Sequence, residues 1–272
     1  MKRRSHGLLI ALLVLGAVVS IFPMVWMFYT SFCPAEDLNA VPPVLIHREF
    51  TLLNYVQLLS NAPIVRWTLN SFIICAAITI GQLLFDSMAG YAFARKKFPG
   101  GRILFWLIIG TMMVPVQILI VPLYIMMVRL HLVDTLWAAI LPGLAGPFGI
   151  FFMRQYMLTI PSSLEEAARI DGCGEFQTFL RIILPVSAPA LAVLAIFLFI
   201  SNWNSFLWPL LVLNSAHTYT LTVGLATLQD KQALDYGLLM AGAAVASLPM
   251  FGIFLVFQRA FIRGVRMGAL KG

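Results

Sequence analysis

The chain has 272 residues, of which 61% are hydrophobic and only 11% are charged, and its formal net charge is +7. Soluble domains usually carry about 25% charged residues, so this composition excludes an ordinary water-soluble protein and favours an all-α integral membrane protein. The 18 Lys and Arg residues stand mostly at the ends of long apolar runs, which indicates membrane topology and no nucleic-acid binding. The three cysteines fall in different segments and cannot form a disulfide framework.

Six apolar runs follow one another, each near the roughly 20 residues that cross about 30 Å of hydrocarbon. The first run is preceded by Lys2, Arg3 and Arg4. A secretory signal peptide also begins with a basic patch, but this run is too long for one and no A-x-A site follows its first half. We therefore expect an uncleaved first span. The six predicted transmembrane spans are 7–32, 67–94, 103–128, 136–153, 186–210 and 236–258.

The segments between the spans differ in character. Residues 33–66 form a polar, proline-bearing loop, with an amphipathic turn at Leu52, Tyr55, Val56 and Leu59 that predicts a short interfacial helix. The turn at 95–102 is basic, and prolines and glycines break the fourth span. We find no additional soluble domain, so residues 1–272 are predicted to form a single transmembrane domain.

The basic residues also predict the orientation of the spans. Six is an even number, so both termini are expected on the same side of the membrane. With the N-terminus in the cytoplasm, 14 Lys and Arg residues lie inside and 4 lie outside. Basic residues are retained on the cytoplasmic side, so we predict cytoplasmic termini and a periplasmic loop at 33–66.

One polar interval, Pro161–Pro185, interrupts the apolar second half of the chain. Ser162 and Glu165 have the S-x-x-E spacing of a capping box, which predicts a helix over Leu164–Asp171. Gly172 follows this helix, and glycine readily adopts the left-handed conformation that ends one. In the predicted orientation the interval lies in the cytoplasm.

A second helix is predicted after this elbow, ending at Pro185. Its apolar face is formed by Phe176, Phe179, Leu180 and Ile183. In the first helix, Ala167 and Ala168 beside Glu166 leave a low surface that another protein can approach closely. The interval is therefore more typical of a plug that docks into a partner than of an active site.

The chain lacks the common catalytic and metal-binding motifs. It contains no G-x-x-x-x-G-K-[ST], H-E-x-x-H or G-x-S-x-G and no paired Cys and His spacing for zinc, so we predict no catalytic residue and no metal site. Asp86 is the only charged side chain well inside a span. An intramembrane carboxylate suggests a proton or cation site; the alternative is a structural role near the inner headgroups.

Polar and aromatic residues inside the spans are candidates for a substrate path. Lipid cannot satisfy polar groups, so these side chains must face protein or water. The alternative for each is helix–helix hydrogen bonding, or an interfacial position for the tryptophans. The path candidates are Asn70, Gln117, Asn202, Trp203, Asn204 and Trp208.

The polar interval carries a family resemblance. Glu166-Ala167-Ala168, Gly172, Ile182 and Leu184-Pro185 keep the spacing EAA-x3-G-x9-I-x-LP at every position. This pattern resembles the EAA signature of bacterial ABC-importer permeases, in particular the smaller permease subunit of the carbohydrate-uptake branch, as in maltose importers. Further matches are Asn54-Tyr55, Asn70-Ser71, Tyr91–Arg95 with Phe98–Gly100, Ala168–Gly172, Trp203-Asn204 with Trp208–Leu210, and Met267–Gly272.

The resemblance implies a fold, a function and partners. The fold would be that of a type I ABC importer permease in the bacterial cytoplasmic membrane, importing a sugar by alternating access. Its partners would be a second, different permease, a dimer of ATP-binding subunits that hold ATP and Mg, a periplasmic or lipid-anchored substrate-binding protein, and membrane lipid. The residues implied in ATPase coupling are Glu165, Glu166, Ala167, Ala168, Asp171 and Gly172, with Arg266 and Lys271 of the tail as further contacts.

Other functions are weighed against this one. An ion-coupled secondary transporter would depend on Asp86, but inverted repeats are not evident. A membrane-embedded enzyme lacks a catalytic constellation, and amino-acid or peptide permeases do not share the motifs as a set. Glycerol-3-phosphate or a related phosphodiester is the main alternative to a sugar. No Lys or Arg lies inside a predicted span, which favours a neutral oligosaccharide.

Overall fold

The computed structural model describes residues 2–38, 40, 49–231 and 235–269, and it describes side chains within 7, 9–38, 40, 49–228 and 235–255. Every regular element in these ranges is a helix. The chain folds into two compact units, the first formed by Met1–Arg66 with Val223–Pro249 and the second by Trp67–Thr222 with Met250–Gly272.

The first unit begins with one long apolar helix and continues with short ones. Its elements are α1 (Lys2–Ser31), α2 (Ala35–Leu38) and α3 (Leu53–Asn61). The short helix predicted near Leu52 is therefore present as α3, and its position at the membrane interface stays a prediction. Buried Asn54 donates to the carbonyl oxygens of Ser31 at 3.0 Å and Cys33 at 2.8 Å. These bonds satisfy one carbonyl at the end of α1 and one just beyond it, which have no partner within the helix.

The second unit contains most of the helices. They are α4 (Ile64–Arg95), which starts at the unit boundary, α5 (Gly101–Thr111), α6 (Val116–Arg129), α7 (Leu136–Ile140) with a 3₁₀ turn at Leu141–Gly143, α8 (Pro147–Met157), α9 (Ser163–Ile170), α10 (Glu175–Thr178), a π-helical turn at Phe179–Ile183, α11 (Leu184–Val186), α12 (Ala188–Trp203) and α13 (Leu207–Val212). Three of the described helices have residues in both units: α4, α14 (Leu221–Lys231) and α15 (Tyr236–Ala269).

Three helices in the described residues are long and apolar enough to cross a membrane alone, at Leu9–Ser31, Ile64–Arg95 and Tyr236–Leu255. Up to three more spans arise if each bent helix pair is one span: α5 with α6, bent by 98°, α7 with α8, bent by 41°, and the helix over Glu175–Val186 with α12, bent by 76°. The predicted spans thus correspond to helical segments, but the third to fifth are broken. The predicted start of the fifth at 186 lies at the bend, and helix continues before it.

Two helices of the second unit approach each other closely at a glycine. A Cβ placed on Gly90 of α4 would lie 2.9 Å from the backbone nitrogen of Arg154 and 2.9 Å from Cβ of Met153, both on α8. The neighbouring core contains Tyr91, Met153, Met157, Ile160, Phe179, Ile183, Ala190, Leu194 and Leu198. This core joins α4 and α8 to the polar interval that precedes α12.

Candidate coupling surface and substrate cavity

The helix α9 ends as the sequence predicts. Gly172 adopts φ +77, the left-handed region that favours glycine. Its N–H donates to the carbonyl of Arg169 at 3.1 Å, and the N–H of Cys173 donates to the carbonyl of Ala168 at 2.9 Å. This pair of bonds is a Schellman motif, which fixes the direction in which the chain leaves the helix.

The predicted capping box is wrong. Ser162 has helical dihedrals, φ −66 and ψ −24, and its side chain makes no capping hydrogen bond. Glu165 instead turns towards the body of the unit, where it is 8% exposed. Its Oε1 lies 3.4 Å from Nε of Arg95. A sequence pattern of local spacing cannot reveal this choice, because the competing partner is Arg95, at the end of another helix.

The coupling candidates divide between two faces of α9. Glu165 and Ala168 are buried within the chain, the latter at 1% exposure. The other four, Glu166, Ala167, Asp171 and Gly172, are exposed. Ile170 is 87% exposed, and sequence reasoning did not single it out. The sequence shows only an apolar residue next to Asp171, and its exposure, which makes it available to a partner, is visible only in the structure.

A cluster of charged residues connects the polar interval around α9 to the end of α4. Lys96 pairs with Glu175, lies 4.0 Å from Glu165 and sits 4.8 Å above the ring of Tyr91. Arg169 also pairs with Glu175, at 3.2 Å. Burial lowers the pKa of Lys96, but the Glu175 carboxylate and the Tyr91 side chain outweigh it and raise that pKa above its usual value. Lys96 therefore remains protonated at neutral pH.

Arg95 ties the same segment to α8. Its Nη2 donates to the carbonyl oxygen of Met157 at 2.8 Å and also to that of Ile160. These carbonyls lie at and just beyond the end of α8, where helix carbonyls lack internal partners. One guanidinium therefore links the ends of α4 and α8 with Glu165 of α9.

The predicted second helix is partly wrong. The helix continues through Pro185 to Val186, and its middle is a π-helical turn. Phe179 and Ile183 are buried, whereas Phe176 is 61% and Leu180 is 39% exposed. A π turn bonds i to i+5 and rotates successive residues less than an α turn, so the predicted i, i+3, i+4, i+7 face does not stay together. Phe179 packs on Tyr91 with ring centroids 5.3 Å apart.

A separate cavity of about 370 Å³ lies within the second unit. Four path candidates line it together: Gln117, Asn202, Trp203 and Trp208. Further polar groups in its wall are Ser71, Ser205 and Thr220. The volume is within the roughly 300–1,000 Å³ of small-molecule sites. No charged side chain contributes to the lining that the described residues form.

The lining groups are fixed to different degrees. Trp208 donates its indole N–H to the carbonyl of Ala138 at 3.0 Å, and Asn202 donates to the carbonyl of Leu198 at 2.7 Å. Gln117 is exposed on α6, and its side-chain amide makes no hydrogen bond to any group that the structure describes. The cavity thus offers a flat indole, an amide oxygen and an unengaged amide, groups that suit a hydroxyl-rich ligand.

Asn70 and Asn204 lie outside this cavity lining. Asn204 is exposed and donates to the carbonyl of Ile200 at 2.9 Å. Asn70 donates to the carbonyls of His217 and Tyr219, both at 2.9 Å. The amide of Asn70 therefore holds the connection after α13.

Asp134 holds the other end of that connection. Its Oδ1 accepts hydrogen bonds from the backbone N–H groups of Asn214 at 2.8 Å and Ser215 at 3.0 Å, and from the Thr218 hydroxyl. Burial would raise the pKa of Asp134, but these bonds outweigh it and hold the pKa below its usual value. The carboxylate is therefore charged at neutral pH and holds the start of the connection that leads to Thr220 of the cavity lining.

Asp86 and Gln82 provide hydrogen-bond partners for backbone groups at the break between α7 and α8. Asp86 is fully buried, and its Oδ1 accepts a hydrogen bond from the N–H of Gly146 at 3.0 Å. One turn earlier on α4, Gln82 donates to the carbonyl of Gly143 at 2.6 Å. A Cβ at Gly149 would overlap the carboxylate of Asp86. Broken helices in membranes need such partners for their freed backbone groups, so the Oδ1 contact supports the structural role of Asp86. Its Oδ2 is buried and has no hydrogen-bond partner among the described residues.

Two substitutions at Asp86 separate the structural role from an ion-coupling role. Asp86→Asn keeps an oxygen for the Gly146 N–H, so we expect uptake close to that of the wild type. Asp86→Leu leaves that N–H without an acceptor, at a cost of about 1–3 kcal/mol, so we expect a lower melting temperature and less purified protein. Thermal melts and uptake assays measure both. Loss of uptake in a well-folded Asp86→Asn protein would instead support ion coupling.

The remaining predicted contacts lie in the tail. The side chain of Arg266 and the whole of Lys271 lie outside the described residues, so their contact with an ATPase stays a prediction. Among the side chains that are described, no group of three or more His, Cys, Asp or Glu residues could hold a metal ion.

The sequence of the chain is similar to those of several known proteins. Residues 86–267 match the family described as "Binding-protein-dependent transport system inner membrane component". The arabinooligosaccharides transport system permease protein AraQ of Halalkalibacterium halodurans is 39% identical, with 100% of each chain covered. The sn-glycerol-3-phosphate transport system permease protein UgpE of Agrobacterium fabrum is 34% identical, with 93% of each chain covered.

A solved structure also matches the fold. It is a chain of a bacterial ABC transporter involved in the import of the acidic polysaccharide alginate. The TM-score is 0.82, with 95% of this chain and 97% of the other covered, and the two sequences are 22% identical. At this identity the likeness concerns the fold alone.

Proposed function

Because the chain belongs to the binding-protein-dependent transport system inner membrane component family, we propose that it is the permease subunit of an ATP-driven importer that carries a sugar across the bacterial cytoplasmic membrane. Its fold is that of a type I ABC importer permease. Its partners are a second permease, a dimer of ATP-binding subunits that hold ATP and Mg, and a periplasmic or lipid-anchored binding protein. Transport proceeds by alternating access.

The exposed face of α9 carries this proposal. Glu166, Ala167 and Ile170 offer a charge, a low surface and an apolar contact on one short helix. Such a combination suits insertion into a groove of another protein, where a buried apolar anchor and a charge provide affinity and register. We assign this groove to the ATP-binding subunit.

The attachment of α9 explains how a movement there would reach the membrane. Arg95, Lys96 and Glu165 connect the helix to α4, and the carbonyls of Met157 and Ile160 connect it to α8 through Arg95. Tightly packed cores transmit displacement and do not absorb it. Closure of the ATP-binding dimer would therefore displace α9 together with α4 and α8. Of these helices, α4 lines the cavity through Ser71 and Ile74.

The distribution of charge supports the orientation that this coupling requires. Fourteen of the 18 basic residues fall on the side of α9 and both termini, against 4 on the other side. Basic residues favour the cytoplasmic side. We therefore place α9 in the cytoplasm, where ATP is available, and the 33–66 loop in the periplasm.

The cavity supports a neutral oligosaccharide as the substrate. Its described lining combines Trp203 and Trp208 with the amides of Gln117 and Asn202 and has no charged side chain. Sugar hydroxyls bond well to amides, and their apolar ring faces stack on indoles. Glycerol-3-phosphate or a related phosphodiester is the second candidate, favoured by the 34% identity to UgpE. That anion would need a basic residue from the partner permease.

Uptake by the reconstituted complex distinguishes between the two candidate substrates. Proteoliposomes with ATP inside and the cognate binding protein outside should accumulate a labelled arabinooligosaccharide and not glycerol-3-phosphate. Accumulation of glycerol-3-phosphate alone would establish the phosphodiester alternative. Uptake that needs an ion gradient and no ATP would contradict the importer itself.

Asn202→Ala tests the cavity. The substitution removes an amide that lines the cavity, and one lost hydrogen bond of about 0.5–1.5 kcal/mol corresponds to roughly a two- to ten-fold weaker apparent affinity for sugar. Uptake at a series of sugar concentrations measures this change. Asn204→Ala is the matched control, two residues away and outside the cavity lining, and its uptake should be unchanged. Equal behaviour of the two variants would remove Asn202 from the substrate path.

A further inference from the structure

A second cavity lies where α4 ends and α5 begins, away from the sugar cavity. It is open, has a volume of about 730 Å³ and is formed within the second unit. Four basic residues line it: Lys96, Lys97, Arg102 and Arg154. Its described lining contains no acidic residue. The cavity therefore carries a positive charge and suits the binding of an anion.

The basic residues are only partly neutralised. Lys96 pairs with Glu175. Arg154 lies 4.2 Å from the ring centre of Phe105 and donates to the carbonyl of Phe93 at 3.2 Å. These contacts orient its guanidinium without cancelling its charge. Lys97, Arg102 and Arg154 form no ion pair with any acid in the described part of the chain.

The start of α5 adds further positive potential. Gly101 and Arg102 line the cavity and begin this 11-residue helix. The backbone N–H of Gly101 donates to the carbonyl of Phe98 at 3.2 Å, whereas those of Arg102 and Ile103 have no backbone acceptor among the described residues and can bond an external acceptor. Helix N-termini carry a partial positive charge and bind anions such as phosphate.

Aromatic side chains share the lining of the cavity with the basic residues. They restrict the kind of anion that fits. Trp106 lines the cavity and is 61% exposed. On the same helix, Ile103 is 69% and Leu107 is 64% exposed, so the charged cavity continues directly onto an apolar surface. A free phosphate has no group to cover that surface. A phospholipid places its phosphate among the basic residues and its acyl chains along α5.

We propose that this cavity binds the headgroup of an anionic phospholipid of the inner leaflet, with Lys97, Arg102 and Arg154 around the phosphate and Trp106 at the acyl-chain boundary. The site is distinct from the sugar path and does not depend on the ATPase coupling. It rests on the orientation proposed above, in which the end of α4 and the start of α5 lie at the cytoplasmic surface of the membrane. Lys96 contributes from the side that faces the coupling segment.

Lipid retention by the full-length protein tests the site. The protein, purified in neutral detergent, is titrated with dioctanoyl phosphatidylglycerol or dioctanoyl phosphatidylcholine, and bound lipid is counted by native mass spectrometry. We expect the wild type to prefer the anionic lipid. Each basic residue near a membrane surface contributes on the order of 1 kcal/mol, so Lys97→Gln with Arg102→Gln should weaken this binding roughly ten- to thirty-fold.

Two controls accompany that double variant. Arg129→Gln removes an exposed basic residue at the end of α6, outside the cavity, and should leave binding unchanged. Lys97→Arg with Arg102→Lys keeps both charges and should also retain the lipid. Equal loss in Arg129→Gln would overturn the proposal, because it would show a general charge effect.

Two further results would show that the cavity has a function other than lipid binding. Inorganic phosphate that competes with phosphatidylglycerol at similar concentration would show an anion site without lipid specificity, and the lipid proposal would fail. The complex is also purified with Lys97→Gln and Arg102→Gln. Loss of the ATP-binding subunits in phosphatidylcholine nanodiscs would show that the cavity is a subunit interface, which likewise overturns the proposal.

Discussion

Charge reversal in the variant Glu166→Lys is expected to cut ATP-dependent sugar uptake at least about ten-fold, which corresponds to about 1.4 kcal/mol of lost interaction. Glu166 is exposed on α9 and pairs with no base among the described side chains. Its replacement should therefore leave the fold intact. A lysine in a groove that receives a carboxylate places like charges together, which costs several kcal/mol.

Four measurements characterise the Glu166→Lys protein. Membrane insertion and the melting temperature should match the wild type, whereas uptake and co-purification of the ATP-binding subunits should both fall. The matched control is Glu36→Lys, the same charge reversal at an exposed residue of α2 in the first unit. Normal uptake by Glu166→Lys would contradict the assignment of α9 as the coupling helix.

Substitution of Gly90 is expected to destabilise the packing of α4 against α8 in the second unit. In the variant Gly90→Val, the new Cβ would meet the backbone nitrogen of Arg154 and Cβ of Met153 at 2.9 Å each. Backbone atoms cannot rotate away, so α4 and α8 must separate, and overpacking of this kind costs about 1–3 kcal/mol or more. We expect a melting temperature several degrees lower and little assembled complex.

A second variant separates the close packing from helix propensity. Gly110 lies in α5, and a Cβ added there would meet nothing within 4 Å, so Gly110→Val introduces the same side chain without a clash. Its melting temperature should stay near that of the wild type. The double variant Gly90→Val with Met153→Ala should remain unstable, because alanine keeps Cβ at position 153 and the backbone nitrogen of Arg154 is unchanged. Recovery in that double variant would show that only the part of the Met153 side chain beyond Cβ opposes the change.

The geometry also shows where sequence reasoning has a physical limit. The Schellman end at Gly172 depends on one residue and its neighbours, so it was predictable from spacing. The inward turn of Glu165 depends on Arg95, 70 positions earlier in the chain. Local spacing favours a capping box at Ser162, and a buried charge partner that is distant in sequence outweighs it.

The same limit applies to the cavity. Composition identified polar residues inside apolar runs, and lipid excludes such groups, so a protected path was expected. Gln117, Asn202, Trp203 and Trp208 do share one cavity, whereas Asn70 and Asn204 lie outside its lining. Nothing in their spacing distinguishes the two sets, because the difference depends on how α4, α6 and α12 are placed around each other.

The sequence alone determined the membrane character, the number and approximate position of the apolar segments, and the elbow at Gly172. These properties arise from solvation and from the conformational preferences of neighbouring residues, which act over a few positions. The tertiary structure alone decided which face of α9 is exposed, that Asp86 caps the broken fourth span, and which polar residues meet in a cavity. Those outcomes are contacts between helices distant in sequence, and they exist only once the helices have packed.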